Sequence, residues 1–265
     1  MNDILLLLAF SLVGFSAGVV SGLLGLGGGV IFVPSLLFLL PYLNIEEPVI
    51  FYVLATSLFG GTFSASSSFI HHFKMGNVNI KAGLLLSMGS IPFAIIVPQF
   101  TVKMDVEFIK YFVGIVLLAV SIKYFFENES SAKYKLKLKE KWMLLFGAVT
   151  GSFSGMTGLG GGVLFVPILA NLFSMPFKKS VGTTAIAVTF TMLSSAVSFA
   201  FAKQNFTLDG FNLGYINLFA GVPLGLFAIL GARVGTAIHF KFSTVVLKKI
   251  FSLFLMVIIL RLLFF

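Results

Sequence analysis

Two glycine clusters hold the most specific chemistry in this chain. Gly25, Gly27, Gly28 and Gly29 recur as Gly158, Gly160, Gly161 and Gly162. Residues 22–34 read GLLGLGGGVIFVP and residues 155–167 read GMTGLGGGVLFVP, identical at 10 of 13 positions with a constant offset of 133. An apolar arm follows each cluster, so the glycine amides would open a helix. Free N–H groups at a helix start carry partial positive charge and suit an anion. Thr56-Ser57 and Thr183-Thr184 form a second matched pair. Their hydroxyls can donate to an oxyanion without burying a formal charge. The expected anion site is therefore Gly27, Gly28, Thr56, Ser57, Gly160, Gly161, Thr183 and Thr184. The plainer alternative is that the glycines let helices pack closely and the hydroxyls bond their own helices. The run Ser64, Ser66, Ser67 and Ser68 reads as helix packing. Neither cluster is a nucleotide motif, because no strand precedes it and no Lys-Ser/Thr follows it.

The missing residue types narrow the chemistry further. The nine acidic residues, Asp3, Glu46, Glu47, Asp105, Glu107, Glu127, Glu129, Glu140 and Asp209, all fall in loops or at segment ends. A proton relay or cation site inside a membrane normally needs a carboxylate there. Their absence points to an anionic or neutral substrate and removes the usual equipment of a membrane hydrolase, so the chain is not read as an enzyme. There is no Cys, and His71, His72 and His239 are too scattered to suggest a metal site. No metal or cofactor is expected. His71-His72 reads as an interfacial pair, with a gate or proton carrier as the alternative.

The elements that must position these residues are membrane helices. Of the 265 residues 58% are hydrophobic and 10% charged, with mean hydropathy +1.07. A soluble domain carries about 25% charged residues, so the surplus apolar surface must face lipid. The start, Met1-Asn2-Asp3 and then Ile4 onward, lacks a signal peptide's basic residues, and the first apolar run reads as a retained segment. Apolar runs fall at about 4–40, 48–70, 80–99, 108–126, 142–173, 180–202, 211–232 and 244–265. The first and fifth exceed one crossing of about 20 residues, and both are broken by glycine. The expectation is an all-α polytopic membrane protein of two repeats, 1–126 and 142–265. Each is a glycine-broken helical hairpin plus three spanning helices, giving 8–10 segments.

Charge orients the repeats. Residues 127–141 carry five lysines and read as a cytoplasmic linker. If each broken run returns to its own side, the repeats are inverted and basic residues divide 14 inside to 4 outside. If each crosses once, the division is 10 to 8. The positive-inside rule prefers the inverted arrangement, a recurrent plan among secondary transporters. The net charge of +9 is explained the same way, without a nucleic-acid partner.

GLGGGVIFVP at 25–34 with Ala55-Thr56-Ser57, and GLGGGVLFVP at 158–167 with Gly182-Thr183-Thr184, resemble the TauE/SafE family of sulfite and organosulfonate exporters. The resemblance spans nearly the whole chain. It implies a multi-pass permease of the cell membrane that exports a small oxyanion, sulfite or an organosulfonate, by alternating access around the paired breaks. An anion channel, or an uptake permease for thiosulfate or sulfate, is the alternative. The expected partners are the anion and the bilayer; the oligomeric state is left open, a homodimer included. The halves differ at Ala55 against Gly182, and GARVG at 231–235 has no clear counterpart after Pro92.

Overall fold

The computed structural model describes residues 3–43, 49–105, 138–203 and 211–243, and part of 107–125 and 245–256. Linker residues 127–137, with Glu46, Glu47 and Asp209, lie outside the described residues.

The first long apolar run divides at its glycines into α1 (Asp3–Leu24) and α2 (Gly29–Leu39), which ends in a 3-10 turn at Leu40–Leu43. Then come α3 (Val49–Lys74) and α4 (Ile80–Thr101). The second half repeats the order. α5 (Trp142–Thr157) meets α6 (Gly162–Pro167) across the second break, and a π turn at Ile168–Leu172 continues α6. α7 (Phe177–Phe201) and α8 (Leu218–His239) follow. The described residues between 107 and 125 and between 245 and 256 are helical, and Ser121 Oγ donates to Ser252 O at 2.9 Å. A two-residue hairpin, β1 (Asn212–Leu213) and β2 (Ile216–Asn217), pairs Asn212 with Asn217 just before α8.

Among the described residues five helices, α1, α3, α4, α7 and α8, are long and apolar enough to cross a membrane. At 22 residues α1 is about 33 Å long, slightly more than the hydrocarbon core. Its outer face presents Ile4, Leu8 and Leu12. α4 presents Met88, Ile95 and Ile96, and α8 presents Leu226 and Leu230. Such exposed apolar stripes on both halves have lipid as their natural neighbour. The chain is thus an all-α polytopic membrane protein.

The halves exchange partners. α1 packs along α8 and α5 along α4, while α3 and α7 lie between and contact each other. Small residues allow the close pairing. A Cβ on Gly14 would stand 2.5 Å from Leu224 O, and one on Gly18 would stand 2.8 Å from Ala228 Cα. Gly147 and Gly151 press on the backbone of Leu86 and Ser90 in the same way. These glycine stripes, four residues apart, are the close-approach pattern of membrane helix pairs. They share the motif's offset of 133.

Each exchange is also pinned by hydrogen bonds. Asn79 caps α4 by accepting from Ala82 N at 3.1 Å, and Asn217 caps α8 by accepting from Ala220 N at 2.9 Å. The backbone N–H of Asn79 donates to Thr183 Oγ1, and that of Asn217 to Thr56 Oγ1, both at 2.9 Å. Each threonine thereby fixes the start of the other half's helix.

Candidate functional site

The two breaks have the same backbone. Gly25, Gly27 and Gly28 hold φ of 72, 81 and 83°, and Gly158, Gly160 and Gly161 hold 70, 79 and 74°. Only glycine enters this left-handed region three times in four residues without large cost. The turn ends one helix and starts the next, so the amides of Gly27, Gly28, Gly160 and Gly161 lie outside both helical ladders. Among the described residues none accepts a hydrogen bond from them.

The breaks cross in contact. A Cβ on Gly29 would stand 2.7 Å from Gly158 O, and one on Gly162 would stand 2.7 Å from Leu26 Cα. α3 and α7 flank the crossing: Leu54 lies against Gly158 and Val181 against Gly25. At the centre one side chain touches both halves. A Cβ on Gly27 or on Gly61 would stand 2.7 Å from Met192 Sδ, and one on Gly160 would stand 2.7 Å from Met192 Cγ. The buried thioether of Met192 therefore occupies the place where the two breaks converge.

Of the expected site residues, Gly27 and Gly160 come together under Met192. Gly28 and Gly161 face outward from that centre. Gly28 meets the Phe32 ring and Ser64 Oγ, the latter at 3.4 Å from where a Cβ would lie; Gly161 meets the Phe165 ring and Thr150 O. Thr56 and Thr183 accept backbone N–H bonds, which leaves each its own hydroxyl hydrogen to give. Ser57 Oγ donates to Gly158 O at 2.9 Å and so ties α3 to the second break. Thr184 Oγ1, at the matching place on α7, is buried without a partner.

Several participants were not singled out from sequence. Ser21 and Ser154 stand one residue before the 13-residue repeat and share its offset, and both hydroxyls are buried without partners. Asn79 and Asn217 share an Asn-x-x-Ala-Gly pattern that could have marked the matched caps. Ser66, Ser67 and Ser68 bond Thr62 O, Ile229 O and Ser21 O, in keeping with packing. Ser64 differs. Its hydroxyl is buried, unpartnered and beside Gly28. Its counterpart Thr191 has Ser90 Oγ at 2.6 Å, but Ala228 stands where a second Ser90 would be needed. Met192 carried no signal in sequence, being one apolar residue in an apolar helix.

The chemistry is that of a neutral donor set: backbone amides and hydroxyls, with no carboxylate and no fixed cation among the described residues. Among the described residues no group of His, Asp and Glu could hold a metal ion.

Residues 10–262 match the family model described as sulfite exporter TauE/SafE. The chain is 29% identical over 245 residues to a probable membrane transporter protein of Methanocaldococcus jannaschii, covering 91% of this chain and 89% of that one. It is 26% identical to the probable membrane transporter protein YunE of Bacillus subtilis, covering 92% and 93%. A probable membrane transporter protein of Haemophilus influenzae is 27% identical, with 93% and 94% covered. No solved structure matches the chain. The matched motif, the membrane-spanning helices and the extent of these likenesses agree, and the chain belongs to the sulfite exporter TauE/SafE family of membrane transporters.

Proposed function

We propose that the chain is a secondary transporter that exports a small sulfur-containing oxyanion, sulfite or an organosulfonate, by alternating access around the crossed glycine breaks. The observation that carries this reading is the convergence of unpartnered amides at Gly27 and Gly160 beneath one buried side chain, Met192. Amides and hydroxyls hold an anion without trapping it, because no full positive charge must be broken from it. Thr56, Ser57, Thr183 and Thr184 flank the breaks, and Ser64 adds an uncommitted donor. A side chain across the centre suits a gated carrier better than an open pore.

The exchanged pairing of α1 with α8 and α5 with α4 suits two inverted repeats that rock against each other. Lys74, Lys178 and Lys241 share one end of the fold with Lys81, which pairs with Glu140 at 2.6 Å. That end is assigned to the cytoplasm of a cell membrane, with linker 127–141 beside it. An inside-negative potential then favours anion efflux by about 2.3 kcal/mol per charge per 100 mV.

Ser64→Ala and Thr184→Val test the site. Each removes a buried hydroxyl that has no partner, so the empty protein should melt at or above the wild-type temperature. Binding of sulfite or thiosulfate should weaken by about 0.5–1.5 kcal/mol in each. Unchanged affinity in both variants sinks the hydroxyl site and returns the glycines to a packing role.

A further inference from the structure

Three successive carbonyls close α1, and each accepts a side chain from another helix. Ser21 O accepts from Ser68 Oγ at 3.3 Å, Gly22 O from His72 Nε2 at 3.0 Å, and Leu23 O from His239 Nδ1 at 2.6 Å. A carbonyl only accepts, so His72 carries its hydrogen on Nε2 and His239 on Nδ1. The other nitrogen of His72 faces Asn77 Nδ2 at 3.4 Å, and the same amide donates to Lys178 O at 2.7 Å. The other nitrogen of His239, Nε2, is buried and has no partner. The hydroxyls of Ser21 and Thr236 nearby are also unpartnered; Thr236 N lies 2.7 Å from where a Gly22 Cβ would stand. The imidazoles meet edge to face at 5.0 Å, with the Phe240 ring 5.1 Å from His239.

We infer that Nε2 of His239 takes up a proton when the transported anion binds; this rests on the anion-transport reading above. The proton forms an N–H bond at the Nε2 lone pair, hydronium leaves as water, and the Nδ1–H bond to Leu23 O is kept. The last carbonyls of α1 carry the negative end of its dipole, which favours a cation. Lys178 lies in the first turn of α7, its carbonyl accepting from the Asn77 amide that faces His72. From α3, His72 and His71 supply the other titratable rings, with Lys74 two residues beyond. α1 brings no titratable side chain to this end, Asp3 lying at its start; α8 carries Arg233, and Lys241 follows it. Among the described residues no carboxylate pairs with either imidazole. An anion at the first break, five residues on from Leu23, supplies the missing countercharge. Each ligand then raises the affinity for the other.

Calorimetry of thiosulfate binding to the full-length protein, in two buffers of different ionisation heat, counts the protons taken up. At about pH 6 the wild type should take up about one proton per anion, and its Kd should rise by about tenfold per pH unit as pH increases. His239→Asn places Nδ2 where Nδ1 stood, which preserves the bond to Leu23 O and removes the proton site. It should bind thiosulfate with no proton uptake and a flat pH profile. Wild-type binding without proton uptake, or undiminished uptake in His239→Asn, overturns the proposal. If thiosulfate, sulfite and methanesulfonate all fail to bind the wild type, the anion reading falls. Nitrogen-15 spectra of the labelled histidines then decide the proton site alone. In the anion-free protein Nε2 of His239 should carry no hydrogen at about pH 6 and gain one only at lower pH, and a ring already protonated at about pH 6, or one whose Nε2 never gains a hydrogen, overturns it.

Discussion

At the first glycine break the carbonyls of Gly22 and Leu23 are held by His72 and His239. At the second, the matching carbonyl of Gly155 is held by the hydroxyl of Thr101 at 3.3 Å. Phe199 stands where His72 does, its ring 6.4 Å from Tyr215. The helices around the two breaks align throughout: α3 and α7 by 127 residues, α4 and α8 by 138. What is shared is what the backbone crossing demands, namely left-handed glycines, glycine stripes and asparagine caps. What differs is polarity and bulk: His72 against Phe199, Ala65 against Met192, and Ser64 free against Thr191 bonded. The repeat fixes a scaffold, and the departures from it distinguish the two ends of that scaffold.

Substitution at matched places should hurt both halves equally, and the largest effect is at the crossing. Gly29→Val and Gly162→Val each push a side chain into backbone 2.7 Å away, which no rotamer relieves. Each should cost about 3 kcal/mol or more, read as loss of a monodisperse, cooperatively melting protein in detergent. A large difference between them would break the matching. An unmatched place should respond unequally. Met192→Ala should lower stability by about 2–4 kcal/mol and speed anion flux in proteoliposomes. Ala65→Gly, at the corresponding place, should lower it by only about 1 kcal/mol and leave flux unchanged. Similar flux in both would show that Met192 fills space without gating. The smallest effect sharpens the scaffold: Asn79→Ala and Asn217→Ala should each cost about 1 kcal/mol in thermal melts. Unequal costs would mean that the two asparagine caps do not hold their helices equally.

The sequence carried the breaks, the duplication and the membrane class because each is local or periodic. Gly27 and Gly160 were legible as partners from a 13-residue repeat alone. The same repeat extends back to Gly14 and Gly147, and reading it further would have disclosed Ser21 and Ser154. The pairing of His72 with His239 was not legible, since 167 residues separate them and Phe and Thr stand at their counterparts. The isolation of Ser64 was hidden for a related reason. It depends on Ala228, a residue whose meaning appears only once α3 and α8 are side by side. Thr56 and Thr183 were legible as matched positions, yet their bonds to the opposite half's asparagine N–H groups follow from topology rather than from spacing.

The exchanged pairing of α1 with α8 sets a clock on biogenesis. Leu24 ends α1, and α8 does not begin until Leu218, 194 residues later. At about 5–20 residues per second of synthesis, α1 waits roughly 10–40 s in the membrane before its partner exists. During that wait its glycine stripe and the carbonyl of Leu23 have no native neighbour on α8. A newborn chain stopped after α4 would hold both members of neither exchanged pair. The pairing of α1 with α8 therefore forms only after α8 has been made, which leaves α1 to wait in the membrane with one face uncovered.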